Sequence, residues 1–200
     1  MGFAYVEGGA ESMRGWWISR NMSTVLIASL VAVGGTIIFG SALVGLPAVV
    51  FSVSALPLSL FCALPLMCVL PVSFDSSRMR DVVAVRDMRR IDMLAFGMIA
   101  ILLFAFGLIV IPFCAFAGIC MALTVVGCSS LGIAASRKWG RKVGASVPVG
   151  YVFVCSIVGY DAPEAPAFWQ FPIAVVPSLA QMVMVLGCVA IMLWTPVKAQ

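Results

Sequence analysis

The sequence predicts an all-α polytopic membrane protein, a bundle of six transmembrane helices with an amphipathic cytoplasmic segment between the second and third. Three observations carry that expectation. Mean hydropathy is +1.15, with 63% hydrophobic and only 10% charged residues, whereas soluble domains carry about a quarter charged residues. Apolar runs recur at lengths near the roughly 20 residues a spanning helix needs. The 12 Lys and Arg residues cluster between alternate runs, as they do when one side of a bundle faces the cytoplasm. Two hundred residues leave room for six or seven such helices in one domain. The net charge of +4 is too small and too dispersed to suggest nucleic acid as a partner.

Residues 1–21 form an N-terminal cytoplasmic or interfacial segment, and residues 22–200 a single transmembrane domain. Glu7 and Glu11 precede the first apolar run, and no small-residue cleavage pattern follows it, so a secretory signal is not expected. Val6 stands where a myristoylation signal needs Ser or Thr. Trp16 and Trp17 beside Arg14 and Arg20 suit the headgroup layer, where an indole buries its ring and wets its N–H. A flexible tail with two anchoring rings reads the same residues as well.

The first span is expected at 22–45, with Ala28, Ala32, Thr36 and Gly40 forming a ridge of small side chains at four-residue spacing. Such a ridge lets another helix approach closely in lipid, either within the bundle or at a dimer contact. A turn at Leu46 and Pro47 leads to a second span at 48–72. Pro57, Pro65 and Pro71 each remove a backbone donor there, so this helix should kink or partly unwind. It either lines a pathway or carries a static kink.

The charged stretch Phe74–Asp92 follows, with Arg78, Arg80, Arg86, Arg89 and Arg90 among four aspartates. At 100° per residue, Ala84, Val85, Met88 and Ile91 share one face of a helix and Arg78, Arg86, Arg89 and Arg90 the other. The segment would lie on the membrane surface with its guanidiniums raised, or serve as an ordinary charged loop that holds topology.

The apolar run from Met93 to Ser136 is too long for one span. Pro112 divides it into a third span at 93–111 and a fourth at 112–136. Cys120, Thr124, Cys128, Gly132 and Ser136 make a second ladder of small residues, with Cys114, Gly118 and Ala122 beside it. The fourth helix should therefore be the most enclosed. A basic loop, Arg137–Lys142, precedes a fifth span at 143–160. An acidic loop with Asp161 and Glu164 then leads to a sixth span at 171–194, where Ser178 and Gln181 suggest a hydrogen bond between helices. Six spans with both termini cytoplasmic place all 12 basic residues on one side. The five tryptophans fall at predicted boundaries.

The seven cysteines all lie in apolar runs without a CxxC pair, and histidine is absent. Packing residues are expected rather than a disulfide framework or a metal site, and no cofactor is expected. No ionisable side chain lies within the interior of a predicted span. That weighs against an ion-coupled carrier, although backbone carbonyls at broken helices can bind ions. No phosphate-cradling loop, paired carboxylates or nucleophile with a base is present, so an enzyme is not expected.

An interfacial lead-in, two helices, a cytoplasmic amphipathic segment and four further helices together resemble the small permeases of the ABC-2 exporter class. The likeness lies in architecture across most of the chain; the chain departs from it in its tight fourth-to-fifth loop and small outer part. In that family the segment between the second and third helices docks on a separate ATPase. The resemblance implies the same role for Asp75–Asp92, above all MRDVVAVRDMRRID. It implies a cytoplasmic ATPase subunit as partner, besides the lipid bilayer, in a homo- or hetero-oligomer. The other expectations are a structural or assembly subunit among other membrane subunits, or a small stand-alone carrier or channel.

Overall fold

Apolar sequence without interior charge folds here mainly as helices, which satisfy their own backbone groups where water is absent. The computed structural model describes residues 14–40, 42–46, 54–74, 88–158, 167 and 169–196. A short helix α1 (residues 14–19) is followed by α2 (Met22–Phe39), α3 (Leu58–Ser73), α4 (Met88–Cys114), α5 (Ala117–Trp139), α6 (Arg141–Val158) and α7 (Leu179–Trp194). Between α2 and α3 lie two strands, β1 (Leu43–Leu46) and β2 (Ser54–Pro57). They pair antiparallel, with Leu43 opposite Pro57 and Leu46 opposite Ser54.

Among the described residues, four helices are long and apolar enough to cross a membrane: Met22–Phe39, Arg90–Cys114, Ala117–Trp139 and Arg141–Val158. Helices α3 and α7 have 16 residues each. At 1.5 Å per residue each is about 24 Å long, short of a hydrocarbon core of about 30 Å.

Helix α5 is the axis of the molecule. Of its 23 residues, 19 are buried, against six of 18 in α2. It touches α2, α3, α4, α6 and α7. Small side chains make this possible, because α5 carries Gly118, Gly127 and Gly132 among its alanines, serines and cysteines. A Cβ on Gly132 would stand 2.5 Å from Pro71 Cγ of α3 and 2.8 Å from the Gly144 oxygen of α6.

The main helices alternate in direction. The start of α2, the end of α3, the starts of α4 and α6 and the ends of α5 and α7 gather at one end. Contacts there include Arg20–Asp92, the edge-on rings of Phe74 and Phe96 with centroids 6.3 Å apart, and Arg137 bonded to the Met192 oxygen. At the other end, Cys114 lies against Gly40, and the Cys120 thiol donates to the Val175 oxygen.

Several expected boundaries move. The first helix stops at Phe39, because Gly40 takes a positive φ of 52° and the chain turns into β1. The second begins at Leu58 rather than residue 48. Pro57 closes β2 as the N-cap of α3, and only Pro65 and Pro71 lie inside that helix. Pro112 does not divide the third helix from the fourth; it sits inside the last turn of α4. The reversal comes at Ala115, which takes a left-handed φ of 49°. The helix runs on through Pro112 for its last residues, at the cost of the N–H donor that would have met the Leu108 carbonyl.

The basic loop contracts to Gly140, where φ is 95°, between α5 and α6. The last helix starts at Leu179 and not at 171, after a 3₁₀ turn at Phe171–Ile173. Among the described residues Gln181 makes its hydrogen bonds at the start of its own helix and not to another. It forms a capping box, its backbone N–H donating to Ser178 Oγ and its side-chain oxygen accepting from the Ser178 N–H.

Candidate functional site

Two places concentrate polar chemistry, at opposite ends of the bundle. At the basic end, α1 is set against α2 by Asn21, which adopts a left-handed φ of 49°. This turn brings Trp16 and Arg20 over the first turns of α4, where Asp92 waits. Arg20 Nε donates to Asp92 Oδ1 at 3.1 Å and Nη2 to Oδ2 at 2.7 Å. Trp16 Nε1 adds a third bond to Oδ1 at 3.0 Å. Arg20 and Asp92 are only 1% and 3% exposed. The fork matches guanidinium to carboxylate and leaves no charge unpaired in a low-dielectric place.

Arg137 also turns inward at this end and donates to the Met192 oxygen, a carbonyl in the last turn of α7. Helix C-termini leave such carbonyls without intrahelical partners. Lys138 stays outside, its Nζ 4.8 Å from the ring centre of exposed Trp139.

The opposite end is built from interrupted backbone. The end of α2, the β1–β2 hairpin, the starts of α3 and α5 and the segment before α7 surround a chamber of about 20 Å³. Ser59, Thr124 and Cys120 supply its polar side chains. Thr124 Oγ1 donates to the Cys120 oxygen at 2.8 Å, with the Phe171 oxygen at 3.4 Å. The Cys120 thiol donates to the Val175 oxygen at 3.4 Å. Neither α3 nor α5 has a side-chain N-cap bond or an acidic residue in its first turn.

The expected packing residues fall as follows. Ala28 and Ala32 are buried on α2. Gly40 ends that helix in a left-handed turn, where a Cβ would stand 3.7 Å from Cys114 Sγ. Gly118 meets Gly107 of α4, a Cβ there standing 2.8 Å from the Gly107 Cα. Cys120 and Thr124 line the chamber. Cys128 is fully buried, and Gly132 sits at the crossing of α5 with α3 and α6. The closest approach on α2 falls at Gly35, outside the expected ridge, where a Cβ would stand 2.3 Å from Cys62 Cβ.

Of the expected coupling arginines, Arg90 stands exposed near the start of α4. Arg78, Arg86 and the side chain of Arg89 lie outside the described residues. Sequence reasoning missed the Trp16–Arg20–Asp92 cluster, whose members stand 72 and 76 positions apart. It also missed Arg137 as an inward-turned residue. The one available signal was Asp92, a lone acid bordering an apolar run. Among the described residues no group of three or more Cys, Asp or Glu side chains is placed to hold a metal ion.

Comparison with known proteins finds no matching family model, no matching curated protein and no matching solved structure.

Proposed function

We propose that this chain is a non-enzymatic membrane permease, or permease-like subunit, driven by an ATPase that grips residues 74–92 from the cytoplasm. In this reading six helices cross the bilayer, with both termini and all 12 basic residues inside. The four long apolar helices support membrane insertion. The two short ones reach across when their extended lead-ins are counted. Helix α3 with the four residues of β2 comes to about 37 Å at helical and strand rises. Outward-facing side chains such as Leu30, Ile101, Ile109 and Leu186 are apolar, as a lipid-facing surface requires.

One observation carries the coupling role: both ends of the charged segment are anchored in the bundle. Phe74 is buried against Phe96, and Asp92 is held by Arg20 and Trp16. Force applied to the residues between them would pass directly into α2, α3 and α4. A segment that only held topology would need no such anchors.

The second reading, a structural or assembly subunit, has a different support. Gly34, Gly97, Gly150 and Gly187 have open space where a side chain would stand, leaving room for the close approach of a neighbouring subunit's helices.

Changing Arg86, Arg89 and Arg90 together to Gln separates the two. The permease reading expects ATP-hydrolysing activity to co-purify with the wild type in mild detergent, and partial, salt-sensitive loss of it in the triple variant. Co-purifying membrane subunits that the triple change leaves unaltered at two salt concentrations would favour the assembly reading. Rescue by lysine at the three positions would point to charge rather than to arginine geometry.

A further inference from the structure

We infer that the groove between α3 and α6 receives the acyl-chain end of an anionic phospholipid whose headgroup lies beside Lys142. The groove holds about 450 Å³ and is lined by Phe61 and Leu64 of α3 and by Val149, Val152, Phe153 and Ser156 of α6. Phe61, Val149 and Phe153 stay exposed along it. Among the described residues Ser156 is the one polar side chain in the lining, and its hydroxyl already donates to the Val152 oxygen at 2.8 Å. The occupant therefore needs no hydrogen-bonding group. A volume within the range of about 300–1,000 Å³ usual for ligand sites has room for a flexible apolar chain.

Packing fixes where the groove opens. At the Gly132 crossing, Pro71 of α3 and the Gly144 backbone of α6 both close on α5. The lining residues of α3 precede Pro71 and those of α6 follow Gly144, so the groove lies beyond that crossing, toward the hairpin end. Helix α6 is itself long and apolar enough to span a membrane. Lipid tails, and not water, then meet this face.

Charge selects the headgroup and the end from which the chain enters. Lys142 precedes Val149 by seven residues, which puts it about 20° from the same face and about 10 Å along the axis. Lys142 and Arg141 are both exposed, and no acidic residue stands in that first turn. Exposed Trp139, with Lys138 Nζ 4.8 Å from its ring centre, marks the headgroup level there. Beyond the far end of α6 the sequence carries Asp161 and Glu164, so an anionic headgroup is favoured at the Lys142 end alone. Half of a hydrocarbon core is about 15 Å deep. A chain anchored at Lys142 thus enters the groove with its last carbons, between Leu64 and Val149–Phe153. The inference needs the chain to sit in a membrane and does not depend on the coupling role of residues 74–92.

The test uses the full chain in phosphatidylcholine nanodiscs carrying a trace of photoreactive phospholipid. The reactive group sits near the end of one acyl chain, and the headgroup is either phosphatidylglycerol or phosphatidylcholine. In the wild type the phosphatidylglycerol probe should label Phe61–Leu64 and Val149–Phe153 about fivefold more than the phosphatidylcholine probe, the preference one surface cation gives. Lys142→Gln should lower that labelling to the phosphatidylcholine level and leave the phosphatidylcholine signal unchanged, and Lys142→Arg should keep the preference. Equal labelling by the two probes in the wild type would overturn the inference. So would phosphatidylglycerol labelling spread evenly over exposed residues of α4 such as Leu94 and Ile109, or a preference that Lys142→Gln leaves intact.

Discussion

The two ends of the bundle are closed by different means. At the basic end, side chains do the closing: Arg20, Asp92 and Trp16 interlock, Arg137 reaches the last turn of α7, and Phe74 meets Phe96 edge-on. At the other end the backbone closes, through a hairpin, a left-handed Gly40 and Ala115, and a 3₁₀ turn, and it leaves a chamber. Long charged side chains can fill irregular space, and a paired fork keeps them satisfied. Broken backbone cannot adapt in that way, because its unpaired groups must face some other polar partner. The difference teaches that interlocked side chains seal one end, whereas backbone reversals at the other leave a chamber of about 20 Å³.

The largest effect that would break this comparison comes from splitting the buried pair. Arg20→Met or Asp92→Leu alone should destabilise the chain by about 3–5 kcal/mol, because the remaining charge is stranded. The double variant should recover most of that loss, since two apolar side chains strand nothing. Denaturant unfolding in micelles reads all three. A double variant no better than the singles would show that the residues act through separate contacts.

Close packing gives the next effect. Gly132→Leu should cost about 1–3 kcal/mol or more, because Pro71 and the Gly144 backbone leave no room. Gly40→Leu should cost about 1–2 kcal/mol from its left-handed backbone. Gly187→Ala, with nothing within 4 Å of its Cβ, should stay within about 0.5 kcal/mol of wild type. A Gly132→Leu chain as stable as Gly187→Ala would place that helix face outside the bundle.

The smallest effect tests the axis itself. Ser129 Oγ is buried in α5 without a hydrogen-bond partner among the described residues. Ser129→Ala removes that group and should raise stability by about 1 kcal/mol. A loss of stability of similar size would mean the hydroxyl is satisfied in the membrane, and thermal unfolding of the two chains side by side decides it.

Much of the helical plan was legible in the sequence because apolar periodicity and small-residue spacing are local signals. The ladder of Cys120, Thr124, Cys128 and Gly132 singled out α5 as the enclosed helix, and that helix is the buried axis. The hairpin was not legible, since residues 43–46 and 54–57 are as apolar as the helices around them and periodicity does not separate short strands from helix. The reversal at Ala115 carried no glycine to announce it. Of the candidate sites, the crossing at Gly132 followed from spacing. The Arg20–Asp92 pair joins distant segments and leaves no local trace. The chamber depends on where four elements end, and helix ends are the least determined feature of a sequence.

In the proposed topology the two ends of the bundle face opposite sides of a membrane. Reporter fusions or labels placed at residues 80, 140, 165 and 198 in the full chain test it directly. In the proposed topology positions 80, 140 and 198 should report the cytoplasm and position 165 the outside, because the 12 basic residues would hold their end inside. Opposite reports from positions 80 and 140, or a cytoplasmic report from 165, would contradict it.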